Sequence, residues 1–387
     1  MDSSSTEWFD ICLERIDCTL EKQFPSVVLS GYYGYGNVGD EAVLGGIIAS
    51  LRHLIPEVQL TVLTSDPELT SRLHPGVFTA RRYNPVDLVK SMRAADVLIS
   101  GGGSLLQDAT SARSSYYYLA VLHLARYLGC KCVIYAQGVG PLNSVSIQRA
   151  VGAELTRADV ITVRDVQSRE LLASIGVDEE RVEVTVDPAF LVDADYESAD
   201  AVLKEYGLED KSILGVCLRP WPGLEKVLPD LRKGIIEFCH KNGAKAIALP
   251  MQESEDTEIA QQLDIGSIIH CNGDFRLMKG ILARCRGVLA MRLHALIFAA
   301  AEGVPFQSLV YDPKVSSFAR LMTNTEGILI DGVEAERLVV SLTDVWCDAS
   351  DQRSILSSLR TRMREDALLP AYKTLELLGM DIGKEHL

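Results

Sequence analysis

Positive charge is scarce in this 387-residue chain: 38 Lys and Arg stand against 53 Asp and Glu, a formal net charge of −15. That balance excludes a nucleic-acid footprint, which needs a basic face. Any anionic substrate must therefore be held by local cations and backbone N–H groups against the field of the whole molecule. Long apolar runs are missing too, and none approaches the roughly 20 residues that cross a bilayer. The opening residues, Met1-Asp2-Ser3-Ser4-Ser5-Thr6-Glu7, have neither the basic start nor the apolar centre of a secretory signal. The expectation is a cytoplasmic protein. The nine cysteines are odd in number and contain no C-x-x-C pair, so a disulfide framework and a zinc site are both excluded and the cysteines read as small core residues. No metal site is expected, and no short-period repeat or low-complexity tract is present.

What the chain does have is a rhythm. With 47% apolar residues and a mean hydropathy of +0.11 it can fill a core, and its length suits two domains. Short β-branched runs alternate with amphipathic stretches, the pattern of parallel sheets covered by helices. Strands are predicted at Val27–Leu29, Gln59–Leu63, Val97–Ser100, Cys132–Ala136, Val160–Val163 and Val182–Val184. After Asp187-Pro188-Ala189-Phe190 and the acidic stretch Asp193–Asp200 the rhythm restarts, with strands at Ile213–Leu218, Ala244–Leu249, Ser267–His270, Gly287–Ala290, Phe306–Val310 and Gly327–Ile330. The expected fold class is therefore α/β, with two Rossmann-like domains, residues 1–190 and 191–387, facing across a cleft. Residues 334–378 read as helical and suited to pack back over both domains. A Trp8-Phe9-Ile11-Leu13-Ile16 pattern in the first 24 residues suits an extra docking helix.

The most informative stretch runs from Gly31 to Glu41. It holds four glycines in nine residues, Gly31, Gly34, Gly36 and Gly39, together with Asn37, Asp40 and Glu41, between an apolar strand and a helix pattern. Glycines let backbone N–H groups close on a ligand, and the helix start behind them favours an anion. The spacing is neither a P-loop nor a clean dinucleotide fingerprint. A tight βα connection explains the glycines alone, but not the polar set inside them.

Ligands of open α/β sheets bind beyond the carboxyl ends of the strands, so the residues after each strand are the candidates. In the first half these are Gly101-Gly102-Gly103-Ser104 with Asp108, then Gln137-Gly138, then Arg164-Asp165. The triple glycine serves close approach either to a ligand or to the first glycine loop. Arg164 with Asp165 serves either a helix-start ion pair or a ligand. In the second half they are Arg219 beside Trp221, Arg292 and His294 opening a helix, and Lys314 after Tyr311-Asp312-Pro313. Arg292, His294 and Lys314 suit a small acid carrying a phosphate. The other histidines, lacking an adjacent partner in sequence, receive no role. Tyr116–Tyr118 pack, or offer a ring to a sugar.

These motifs, in this order, resemble the polysaccharide pyruvyl transferases, with the CsaB-type cell-wall enzymes the nearest in feel. The Gly36-Asn37 to Glu41 loop and Arg292-Leu293-His294 are the more specific pieces. The resemblance implies a GT-B-like fold and transfer of pyruvate from phosphoenolpyruvate to two hydroxyls of a sugar, giving a 4,6-ketal and phosphate. It implies as acceptor an N-acetylmannosamine of a lipid-diphosphate-linked disaccharide, in the synthesis of a secondary cell-wall polymer that anchors surface-layer proteins. Phosphoenolpyruvate is then a co-substrate, and no cofactor is expected. Arg292 and His294 fit the family's Arg-x-His donor site, with Lys314, Arg164 and Arg219 as further cations. Gly36, Asn37, Gly39, Asp40, Glu41, Gly102, Gly103, Asp108 and Gln137 fall on the acceptor side. His294 is the candidate acid/base, Arg292 the charge stabiliser and Asp40 the partner of the sugar hydroxyl. The alternative is a GT-B glycosyltransferase with a nucleotide-sugar donor, or a non-catalytic sugar- or anion-binding protein. Transient contact with the inner membrane surface and self-association are left open.

Overall fold

The computed structural model describes residues 24–108, 112–347 and 349–380. The docking-helix pattern of residues 8–16 lies outside them. Strands β1 (Ser26–Ser30), β2 (Gln59–Thr64), β3 (Phe78–Arg81), β4 (Val97–Gly101), β5 (Lys131–Gln137), β6 (Val160–Val163) and β7 (Val182–Val184) form one sheet in the order 3-2-1-4-5-6-7. Every pairing is parallel. Between them run α1 (Val38–Leu54), α2 (Pro67–Leu73), α3 (Pro85–Ala94), α4 (Ala112–Tyr127), α5 (Val145–Leu155) and α6 (Val166–Ser174).

After α7 (Tyr196–Glu205) the plan repeats. Strands β8 (Ser212–Cys217), β9 (Ala244–Ala248), β10 (Ser267–Ile268), β11 (Gly287–Ala290), β12 (Phe306–Val310) and β13 (Ile328–Leu329) form a second parallel sheet in the order 10-9-8-11-12-13. Its helices are α8 (Leu224–Asn242), α9 (Glu253–Leu263), α10 (Phe275–Arg284), α11 (Leu293–Ala301) and α12 (Pro313–Thr323), followed by α13 (Ala335–Cys347) and α14 (Ala349–Leu377). Both sheets reverse strand order beside their first strand, which opens a crevice there. The fold is two Rossmann-like α/β units.

The local reasons are plain. β4, β11 and β12 are buried along their whole length, as strands covered by helices on both faces must be, so they read as mainly apolar runs, interrupted only by Ser100, Gln307 and Ser308. Most βα turns end in an Asx residue whose side chain accepts N–H groups of the next helix: Asn37, Asp66, Asn84, Asp165, Asp274 and Asp312. Such caps satisfy donors that have no partner within the helix. Two features differ from the sequence reading. β3 was not expected, because as an edge strand it buries only Ala80 fully and leaves Phe78 exposed. The acidic stretch at 193–200 is not only a connector, since Asp195 caps α7, which packs on α10.

The two units touch closely. Val38 N–H donates to the Met251 carbonyl at 2.8 Å, Asn37 Nδ2 donates to Gln252 Oε1 at 3.0 Å, and His74 stacks on Phe275 at 5.3 Å. Helix α14 lies against α1, β5 and β6 of the first unit and α11 and α12 of the second. Lys373 there pairs with Glu183 at 2.9 Å. Among the described residues no helix is long and apolar enough to cross a membrane.

Candidate active site

The crevices of the two sheets face each other across a cleft of about 540 Å³. The turns after β1, β4, β5 and β6 supply one wall, and those after β8, β9, β11 and β12 the other. Helices α1, α11 and α12 begin at this cleft, so their positive dipole ends converge on it.

Asp187 stands at the centre of the charged groups. It is 4% exposed, and its Oδ1 accepts Ala189 N–H at 3.0 Å. Its Oδ2 accepts Arg164 Nη1 at 2.7 Å and lies 3.5 Å from His294 Nε2. The last distance is an ion-pair contact rather than a formed hydrogen bond, and Nε2 is otherwise buried without a partner. Burial pushes the Asp187 carboxyl up, but His294 and Arg164 outweigh it and hold the group well below the usual carboxylate range. Arg164 also donates to Ser104 Oγ at 3.1 Å and lies 3.9 Å from Asp165. Asp165 caps α6, and Arg164 lines the cleft.

His294 sits over the start of α1, and this needs Gly39. A Cβ at Gly39 would lie 2.1 Å from His294 Nδ1, so no other residue lets the imidazole rest there. Asp40, one residue on, lines the cleft. Burial raises its carboxyl from 3.8 to about 6; His294 opposes the shift, Glu41 adds to it, and Arg164 and Arg292 oppose it without reversing it. A carboxyl poised near neutral pH in a cleft is suited to exchange a proton.

On the second wall, Arg292 immediately precedes α11 without a side-chain bond to its N–H groups. Its Nε donates to Asp256 Oδ2 at 3.0 Å, its Nη2 to Asp256 Oδ1, and Nη2 also to Glu255 Oε2 at 3.3 Å. Asp256 Oδ2 accepts Met251 and Gln252 N–H as well, both at 3.0 Å. Lys314 reaches the cleft with Asp312 3.4 Å away. Arg219 donates to Tyr311 Oη at 3.4 Å, its Nε is buried without a partner, and Trp221 packs on Tyr311 at 4.6 Å. Among the described residues no carboxylate pairs with Arg219, and no cluster of His, Cys, Asp and Glu suits a metal.

Of the residues singled out in the sequence, Asn37, Asp40, Gly103, Ser104, Tyr118, Arg164, Arg219, Trp221, Arg292, His294, Tyr311, Asp312 and Lys314 line this cleft. Several other candidates do not. Glu41 is fully buried; its Oε1 accepts Gly34 N–H at 2.8 Å and its Oε2 meets His74 Nε2 at 3.0 Å. It braces the glycine turn, and His74 has a partner that its place in the sequence did not reveal. Gly102 serves close approach to α1, where a Cβ would strike Val43 Cγ1 at 1.7 Å. Gly36, in the left-handed region at φ +69°, lies beside Gly273 of the other unit. Gln137 is buried on Ser100 at 3.2 Å. Asp108 is engaged with the loop before α5, where it accepts Asn143 and Ser144 N–H at 2.8 and 2.6 Å. Arg292 needs correction as a free cation, since two carboxylates already occupy most of its donors.

Three groups escaped the sequence reading: Asp187, Asp256 and Tyr32. Asp187 follows a strand just as Arg164 does, a signal that its place at the domain boundary obscured. Asp256 and Glu255 lie inside a helix, and only the fold brings them to Arg292.

A family model described as polysaccharide pyruvyl transferase matches residues 37–313. No curated protein sequence matches the chain closely enough to be called a relative. Among solved structures, HepE of Anabaena in complex with UDP-glucose is similar at 15% identity and a TM-score of 0.59, over 92% of this chain and 99% of that one. A putative UDP-N-acetylglucosamine 2-epimerase of Listeria monocytogenes is similar at 12% identity and a TM-score of 0.63, over 92% and 98%. MnaA of S. aureus bound to UDP is similar at 11% identity and a TM-score of 0.60, over 93% and 100%. At such identities these likenesses show the two-domain, GT-B-type fold.

Proposed function

The chain belongs to the polysaccharide pyruvyl transferase family, and from that premise we propose that it moves pyruvate from phosphoenolpyruvate onto two hydroxyls of one sugar. The acceptor proposed is an N-acetylmannosamine of a lipid-diphosphate-linked disaccharide, ketalised at O4 and O6 at the cytoplasmic face of the membrane for a cell-wall polymer. Phosphoenolpyruvate is the co-substrate, and the reading calls for no cofactor. The observation that carries it is the convergence of Asp40, Arg164, His294 and Lys314 on one cleft that three helix N-termini enter.

The chemistry assigns these groups as follows. Lys314 and the helix N-termini hold the carboxylate and phosphate of the donor, with Arg164, already bound to Asp187 and Ser104, adding its charge beside them. With Nε2–H of His294 turned to Asp187, Nδ1 is the nitrogen that exchanges a proton. His294 protonates the methylene carbon, which leaves an oxocarbenium-like C2. Asp40 accepts the proton of the first sugar hydroxyl as its oxygen bonds to C2. The C2–O bond to phosphate then breaks, the electron pair leaving with phosphate, and the second hydroxyl closes the ring. One hydroxyl proton replaces that given to carbon, and the other leaves with phosphate. Arg292, clamped by Asp256, positions the start of α11 beneath His294.

Arg219, Trp221 and Tyr311 form an aromatic, cationic wall that also favours a second reading, a nucleotide-sugar donor. Phosphate release from phosphoenolpyruvate with a β-linked N-acetylmannosaminyl acceptor separates the two. The expected result is acceptor-dependent release, a product heavier by pyruvate less water, and a loss on the order of 10²-fold or more in His294→Ala. Turnover of a nucleotide sugar with none of phosphoenolpyruvate would overturn the proposal, as would full activity in a folded His294→Ala protein.

A further inference from the structure

Resting on this reading, we infer that the acceptor is recognised through more than one ring. A tyrosine surface built around Arg82 carries the sugar next to the one that is ketalised.

Arg82, just past β3, is 2% exposed. Its Nη1 donates to the Gly31 carbonyl at 2.8 Å and its Nη2 to Tyr118 Oη at 3.0 Å. Its Nε is buried without a partner, and among the described residues no carboxylate pairs with it. A buried cation without a counter-charge is costly. Here the compensation comes from four rings, those of Tyr35, Tyr83, Tyr117 and Tyr118, with centroids 5.5, 5.1, 4.7 and 5.3 Å from the guanidinium carbon. Attraction between the cation and these faces holds the rings in place. Tyr117 Oη further donates to the Arg82 carbonyl at 2.7 Å, and the hydroxyls of Tyr35 and Tyr83 meet at 3.3 Å.

The cluster is not sealed. Tyr83 stays 66% exposed, so its ring is ordered by its neighbours without being buried. Tyr32 stacks on Tyr35 at 4.1 Å with the planes 9° apart. Tyr32 also lines the cleft beside Asp40, while Tyr118 is buried in its wall, so one aromatic surface leaves the site at Tyr32 and continues outward to Tyr35 and Tyr83. A pyranose lays the C–H bonds of one face on such rings while its hydroxyls stay in water. Because the rings are already fixed, binding costs little side-chain entropy. The occupant is a neutral sugar: the surface presents hydroxyls and ring faces, and its one cation is buried under them.

The test compares two acceptors with phosphoenolpyruvate: the methyl β-glycoside of N-acetylmannosamine, and a disaccharide with the same residue β-linked to a second hexosamine. The wild-type protein should prefer the disaccharide by about tenfold or more in kcat/KM. Tyr83→Ala and Tyr35→Ala should abolish that preference, with the monosaccharide kcat/KM and the phosphoenolpyruvate KM unchanged. Tyr83→Phe, which keeps the ring, should retain it. A wild type indifferent to the second ring, or a preference that survives both alanine variants, overturns the inference. If neither sugar releases phosphate, the pyruvyl-transfer proposal fails for these acceptors. The tyrosine surface is then judged by calorimetry, and equal affinity of wild type and Tyr83→Ala for the disaccharide overturns it.

Discussion

Asp40→Asn should trade activity for stability, and the trade should depend on pH. Burial raises the Asp40 carboxyl from 3.8 to about 6, so the folded protein holds this proton more tightly than the unfolded chain does. Below the ordinary value both states are protonated and the site costs nothing. As pH rises from about 4 to about 6 the unfolded chain ionises first, and stability falls by an amount that is complete above about pH 6. A shift of this size corresponds to about 3 kcal/mol. Asp40 keeps one edge open to the cleft, so a realised cost of about 1–3 kcal/mol is expected. Asparagine carries no charge at any pH and removes that cost. Urea denaturation followed by fluorescence at about pH 8 should find Asp40→Asn more stable by that margin, with the gain fading to nothing near pH 4. Phosphate release by the same variant should fall on the order of 10²-fold or more. Equal stability differences at the two pH values would refute the pKa argument. Wild-type turnover would refute the role of the carboxylate.

Gly39→Ala places a methyl 2.1 Å from His294 Nδ1, so the imidazole must swing aside; circular dichroism should stay native while phosphate release drops about tenfold or more, and unchanged turnover would contradict the packing. Asp256→Ala strips the guanidinium of Arg292 of its bidentate partner and should cost about 2–4 kcal/mol in urea unfolding, since a buried cation is left with the half-exposed Glu255 alone; wild-type stability would count against it. The Asp187 carboxyl is held below its usual range, so its contribution is present above its ordinary value and lost as pH falls through the lower, folded one. Asp187→Asn should accordingly be destabilised most near neutrality, with the deficit shrinking in strong acid, and a pH-independent deficit would contradict this linkage.

Most of the fold was legible in the chain because its signals are local. Buried parallel strands announce themselves as apolar runs, and Gly, Asn and Asp mark the turns between them. The strand-end rule points to Arg164, His294 and Lys314, each within four residues of the end of a strand, and the glycine-rich stretch after β1 points to Asp40. β3 escaped because an edge strand half in water loses that signature. Gln137 and Asp108 lie outside the cleft lining for the converse reason. A residue at or beyond the end of a strand can turn inward, as Gln137 does onto Ser100, or bind a neighbouring loop, as Asp108 does.

Which elements exist, and which of their ends carry charge and glycine, is thus a property of the sequence alone. Which charges meet is not. Asp187 and His294 are more than a hundred residues apart, as are Asn37 and Gln252, and their pairing exists only because two separately built sheets face each other. The same facing leaves Glu41 bracing a turn while its neighbour Asp40 is poised near neutral pH. Burial, counter-charges and the depth of a cleft are sums over residues from many segments, and only the tertiary structure performs that sum.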